Sequence, residues 1–310
     1  MSLLFYELGL HNLKPGIDTL KQGLAYFETV GMPARNLAVR TREEYSEDLA
    51  DLIEFLTQAG VTQLKGANLR DLENYQAEMD RRGYRASTRE RKTYTIKSFF
   101  KFLHRHGLIA TNVASQLIPP PRRRAEPRFL SEEEYQRLLS ACSHNPRDKA
   151  IIELLLQTGI NLSELARLTL YDVELPQKIN RDPHNTGTLR VTRKDTVENV
   201  PLNFKACQAL AEWLKVRPKV DDVRLFVTKL KTPMSKRAIQ YTVNKYLEAA
   251  EIKDASVRTL RHTMGAHYLA KGGDLKAVQK MLGHESLETT RIYQTLAKKA
   301  QRRMVQDLAL

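Results

Sequence analysis

Apolar positions in the first third of the chain recur at helical spacing. Thr41-Arg-Glu-Glu44 has the form of a capping box, and Tyr45, Leu49, Leu52, Ile53 and Leu56 come after it at intervals of three and four until Gly60. A second helix is predicted from Asn68 to Arg82, where Gly83 stops it. A third begins near Ser87 and carries Tyr94, Ile96, Phe99, Phe100, Phe102 and Leu103 before Gly107. Together these predict a compact all-helical unit over residues 36–116. Upstream, Gly16 to Val30 suits one amphipathic helix, and Pro33 interrupts the chain beyond it, so residues 1–35 read as an N-terminal extension.

The segment Leu117-Ile-Pro-Pro-Pro-Arg-Arg-Arg-Ala-Glu-Pro127 cannot be helix, because its prolines favour extended geometry. It is predicted to be the linker, residues 117–127, to a second domain over 128–310. There Ser131-Glu-Glu-Glu134 caps a helix, and the nearly continuous apolar run Ala150 to Leu156 marks a buried one. Thr188 to Arg193 and Val197 to Pro201 alternate as strands do, around Lys194-Asp195-Thr196, which predicts a β-hairpin. Helices are expected near 204–216, 235–250, 259–271, 274–282 and 286–305. The fold class is therefore mainly α, with a small β-sheet or hairpin in the second domain.

Charge changes the picture. The 310 residues carry 50 Lys plus Arg against 36 Asp plus Glu, a net +14, and solubility alone does not need such an imbalance. It points to a polyanionic partner, with nucleic acid foremost. The basic residues concentrate. Between Tyr84 and Arg105 there are seven (Arg85, Arg89, Arg91, Lys92, Lys97, Lys101, Arg105) against the single acid Glu90, a helix suited to phosphate contacts. Arg122, Arg123 and Arg124 put a further cluster in the linker, which is expected to run beside the polyanion. No apolar run is long enough for a membrane span, and the N-terminus lacks the pattern of a secretory signal, so a cytoplasmic, nucleoid-associated protein is expected. Cys142 and Cys207 fall in different predicted helices and offer neither a disulfide framework nor a zinc site. His262 and His267 are five apart without further ligands, so no metal is expected.

The strongest signal is a series of motifs in the second domain: Thr158-Gly-Ile-Asn-Leu-Ser-Glu-Leu165, the hairpin Lys194, Leu260-Arg-His-Thr263, Met281-Leu-Gly-His284 and Thr289-Thr-Arg-Ile-Tyr293. In this order and spacing they resemble the tyrosine recombinases, the phage-integrase and Xer-like family, over nearly the whole chain from about residue 36. The resemblance implies a C-shaped two-domain DNA clamp, with a helical SAM-like core-binding domain joined to a catalytic domain. It implies site-specific cutting and rejoining of double-stranded DNA through a 3′-phosphotyrosine and a Holliday junction, without metal or other cofactor. It also implies a homotetramer on DNA, or a tetramer completed by a homologous recombinase, coupled through the basic C-terminal tail LAKKAQRRMVQDLAL.

Carried over residue by residue, Tyr293 is the nucleophile, Lys194 the general acid, Arg261 a phosphate-binding arginine and His284 a hydrogen-bond donor to the phosphate. The chemistry suits these types. A phenol with a pKa of about 10 needs a cationic neighbourhood to attack phosphorus, and a guanidinium fork matches the non-bridging oxygens. His262 is expected to pack or to support the site from behind. Two positions depart from the family pattern. Asn161 stands where Thr-Gly-x-Arg expects arginine, and Arg258 stands where His or Lys is expected three residues before Arg261. The paired change suggests that Arg258 takes over phosphate neutralisation from position 161. The alternative is a catalytically impaired DNA-binding paralogue serving as an accessory or regulatory subunit.

Overall fold

The computed structural model describes residues 16–121, 126–182, 184–193 and 196–307, with the side chains of residue 300 and residues 303–307 outside the description. Its contacts divide the chain into two compact units, Met1–Arg124 and Ala125–Leu310.

The first unit is all helical: α1 (Leu20–Tyr26), α2 (Met32–Ala34), α3 (Val39–Gln58), α4 (Leu69–Arg81) and α5 (Ala86–Arg105). Thr19 and Gln22 form the capping box of α1, which passes through a π segment, Phe27–Gly31, into α2. This stretch, expected to lie outside the helical unit, is part of its core. Leu20, Phe27 and Met32 are buried with Leu49, Leu52, Leu72, Phe99, Phe100 and Leu103. The two phenylalanine rings Phe27 and Phe102 meet with centroids 5.0 Å apart, so a short helix with too few apolar residues to be stable alone gains its stability by tertiary packing. Thr41 does not cap α3. The Arg42 amide donates to the Ala38 carbonyl at 3.0 Å, so the first turn already runs past Thr41. Leu117, expected to open the linker, is buried in this core, and Lys97 Nζ donates to the Ser115 and Leu117 carbonyls at 2.8 Å.

The second unit holds α6 (Glu132–Cys142), α7 (Pro146–Thr158), α8 (Leu162–Arg167), β1 (Val173–Glu174), β2 (Gly187–Arg193), β3 (Thr196–Leu202), α9 (Phe204–Val216), α10 (Lys236–Ala249), α11 (Val257–Ala270), α12 (Leu275–Leu282) and α13 (Leu287–Asp307). Ser131 and Glu134 cap α6 reciprocally. α7 starts at Asn145 with Pro146 in its first turn, ends on left-handed Gly159, and buries Ile151, Ile152, Leu154 and Leu155 against α9 and α11. The antiparallel sheet has the order β1-β2-β3, with Arg193 opposite Thr196 at the hairpin end. The short β1, which pairs Val173 with Leu189, adds a third strand to the hairpin legible in the sequence. Cys142 and Cys207 are both buried and unpaired. Among the described residues no helix is long and apolar enough to cross a membrane.

Candidate active site

Four segments far apart in sequence meet at one cleft of about 790 Å³: the α7–α8 turn with α8, Gln240 of α10, the first two turns of α11, and the α12–α13 turn with the start of α13. Ile160, Asn161, Arg258, Arg261, His284 and Tyr293 are among its lining residues.

Arg261 is the keystone. Its guanidinium donates to the Gly159 carbonyl at 2.5 Å and to the Leu282 carbonyl at 2.6 Å, tying the C-terminal ends of α7 and α12 together. Carbonyls at helix C-termini lack intrahelical partners and favour a cation. Burial pulls Arg261 below the ordinary arginine value, while Tyr293 and Glu164 oppose that shift. Arg193, which no sequence motif marks, is also part of this framework. It donates to the Lys280 carbonyl at 2.8 Å and the Met281 carbonyl at 2.7 Å, and it pairs with Glu164 at 3.1 Å and Glu198 at 2.7 Å. Two arginines thus take three successive carbonyls, 280 to 282, at the end of α12. Gly283 comes next at φ 65°, and a Cβ there would stand 2.6 Å from Arg193 Nε, so both its conformation and its neighbour require glycine. This is the physical content of the Leu-Gly-His motif: it delivers His284 into the cleft.

His284 Nδ1 lies 3.0 Å from Thr290 Oγ1, and its ring is nearly parallel to that of Tyr293, centroids 6.0 Å apart. Burial, then Arg261 and Arg193, push His284 down to about 4. Tyr293 is 1% exposed, and its ring packs on α11 at Gly265, where a Cβ would come within 2.6 Å. Its hydroxyl lies 2.8 Å from His262 Nδ1. Burial raises the Tyr293 phenol above its usual pKa, with Arg261 and Arg258 working against the rise. His262, expected only to pack or support, therefore touches the Tyr293 hydroxyl. The signal for it was its place one residue after Arg261, in a chain where position 258 holds a side chain that cannot accept a proton.

Arg258 is exposed at the cleft, and no hydrogen bond ties its guanidinium among the described residues. Asn161 is held differently. Its Oδ1 accepts from the amides of Ser163 and Glu164, both at 2.9 Å, and Glu164 reaches back to the Asn161 amide at 2.8 Å. The residue is the N-cap of α8, which leaves only its Nδ2 free to donate into the cleft. Replacing Asn161 with Asp is expected to leave folding within about 0.5 kcal/mol, since the two cap equally well. It would also add a carboxylate to the cleft, worth on the order of 1–3 kcal/mol of repulsion toward a phosphate bound there. A thermal melt together with single-turnover DNA cleavage checks this: stability held, and cleavage lowered roughly tenfold or more.

Lys194 lies outside the described residues, as do Arg122, Arg123 and Arg124. The basic helix α5 is only in part an exposed cationic surface. Lys92 is buried between Asp48 at 3.3 Å and Asp51 at 2.7 Å, and Arg91 pairs with Asp48. Arg89 pairs with Asp80 at 2.7 Å, and Lys97 is bonded to carbonyls. These four cations neutralise or cap groups inside their own unit, whereas Arg85, Lys101 and Arg105 are exposed.

Residues 128–300 match the phage integrase family, and residues 26–107 match the phage integrase N-terminal SAM-like domain. The tyrosine recombinase XerC of Natranaerobius thermophilus is 34% identical over 84% of this chain and 89% of its own length. The XerC of Vibrio cholerae is 31% identical over 89% of this chain and 88% of its own. Among solved structures, the XerH site-specific recombinase bound to its palindromic difH substrate aligns with a TM-score of 0.72, at 20% identity, over 91% of this chain and 84% of that one. A lambda integrase dimer bound to a core site aligns at 0.70, with 17% identity, over 89% and 77%. The last two comparisons show a shared fold. On the family match over more than half its length, and on relatives above 30% identity along most of it, the chain belongs to the phage integrase family of tyrosine recombinases.

Proposed function

We propose that the protein is a site-specific DNA recombinase that cuts and rejoins duplex DNA through a 3′-phosphotyrosyl link to Tyr293. The observation that carries this reading is the buried Tyr293 hydroxyl beside His262, in a cleft that also holds Arg258, Arg261 and His284. Arg261 has five N–H donors, of which two serve backbone carbonyls, and the rest remain for non-bridging phosphate oxygens. Arg258 supplies the second positive charge that position 161 does not, and His284 donates a hydrogen bond. Lys194 protonates the leaving 5′-oxygen, as the resemblance implies. The helical unit holds the DNA backbone through its exposed Arg85, Lys101 and Arg105 and through Arg122 to Arg124. The working assembly is a tetramer on DNA, of identical chains or with a homologous recombinase. No cofactor enters, because the phosphotyrosyl link conserves the energy of the phosphodiester bond.

A suicide-substrate assay tests the proposal. Nicked duplexes tiled across the DNA flanking the gene are incubated with the protein and run on denaturing gels. The expected result is a covalent DNA–protein band whose phosphopeptide maps to Tyr293. Tight, site-specific binding with no covalent band would overturn the reading in favour of an accessory DNA-binding subunit.

A further inference from the structure

We propose that His262 is the base that takes the proton of Tyr293 in this chain, doing the work that Arg258 cannot. The inference rests on the recombinase reading above and assigns one step of it.

Its Nδ1 lies 2.8 Å from the Tyr293 hydroxyl oxygen, within direct proton-transfer reach. No other titratable side chain among the described residues hydrogen-bonds that hydroxyl. Position 258, where the family pattern has His or Lys, carries a guanidinium, which has no acceptor atom. Four charged or titratable groups face the imidazole: Arg258 and Arg261 from its own helix, His284 from the α12–α13 turn, and Tyr293 from α13. Burial first, then the two arginines and His284, push His262 down to about 4, so its ring is neutral at physiological pH. With the proton on Nε2, Nδ1 accepts from the hydroxyl.

Substrate binding strengthens this base when it is needed. A phosphodiester in the cleft pairs its negative charge with Arg258 and Arg261, and so offsets the repulsion that these arginines exert on an imidazolium. In the cleavage step the bond from the Tyr293 oxygen to phosphorus forms and the bond from phosphorus to the 5′-oxygen breaks. The phenol proton passes to His262 Nδ1, and the leaving 5′-oxygen takes its proton from a separate acid, the part the resemblance gives to Lys194. In rejoining, the 5′-hydroxyl passes its proton back to that acid as its oxygen bonds to phosphorus, the bond from phosphorus to the Tyr293 oxygen breaks, and His262 returns its proton to that oxygen.

The test compares single-turnover cleavage by wild type, His262→Asn and His262→Ala on the same suicide substrate, with DNA affinity measured in parallel across a pH series. Asparagine keeps an oxygen near the position of Nδ1 to accept from the hydroxyl, but it takes up no proton. Both variants are expected to bind DNA as wild type does and to cleave about 10²-fold more slowly or worse. Wild type is expected to lose rate as acid protonates His262. The Asn variant should lack that acid limb and gain rate steadily as rising pH ionises Tyr293 directly. An Asn variant that cleaves close to the wild-type rate, or a slowed variant with an unchanged pH profile, would overturn the assignment and leave His262 as a positioning residue. Wild type that binds its site without forming any adduct would instead overturn the recombinase reading, and this inference with it.

Discussion

Tyr293→Phe is expected to abolish the covalent DNA adduct while leaving fold and DNA affinity nearly untouched. The ring accounts for the packing. It sits against Gly265 and beside His284, and phenylalanine keeps both contacts. What goes is one hydroxyl and its hydrogen bond to His262 Nδ1, worth about 1 kcal/mol of stability. For the chemistry proposed above, the same change removes the attacking oxygen outright. Burial holds the phenol above its ordinary pKa, so the hydroxyl is protonated near neutral pH and becomes reactive only as its proton leaves. Denaturing gels with wild type and variant on one suicide substrate, beside a gel-shift titration, separate the two effects. Ser163, Ser256 and Thr289 are also at the cleft. A residual adduct in the variant would implicate one of them and refute the role of Tyr293.

Much of this site is legible in the sequence because the family motifs record local geometry. Leu-Gly-His encodes a helix end, a left-handed glycine and a side chain delivered just beyond it, all within four residues. Long-range electrostatics are not encoded that way. Seven cations on α5 look alike in the sequence, yet Lys92 and Arg91 meet Asp48 and Asp51 on α3 and are neutralised there, more than forty residues away. Only folding distinguishes these from Lys101 and Arg105. The same holds for Arg193, whose partners lie 29 and nearly 90 residues along the chain, at Glu164, Lys280 and Met281. Asn161 is an intermediate case. As a departure from Thr-Gly-x-Arg it reads as a loss, whereas the structure shows the gain, an N-cap whose partner Glu164 is already present in the adjoining Ser-Glu-Leu. The start of α3 misleads for a related reason: a capping-box sequence at Thr41 is locally sound, but the helix gains another turn upstream.

Arg261→Ala is expected to lower cleavage by about 10³-fold or more and to destabilise the catalytic unit, and Arg261→Lys is expected to rescue little of either. Removing one preorganised donor to a developing charge costs about 10²–10³ in rate. Here the same side chain also bridges the Gly159 and Leu282 carbonyls, and Leu282 lies two residues before His284. Alanine leaves two carbonyls at buried helix ends without their cation, at roughly 1–3 kcal/mol each where water does not replace it. The α12–α13 turn then loosens, and a displacement of about 1 Å in the groups it carries adds a further loss. Lysine keeps the charge but brings a single ammonium in place of a planar fork, so it cannot reach both carbonyls and two phosphate oxygens in fixed directions. A thermal melt and single-turnover cleavage of wild type, Lys and Ala variants decide between charge and geometry. If lysine restored the rate, Arg261 would be acting through its charge alone. If lysine stays near alanine in both measurements, the bridge between the two helix ends is what holds the phosphate site in shape.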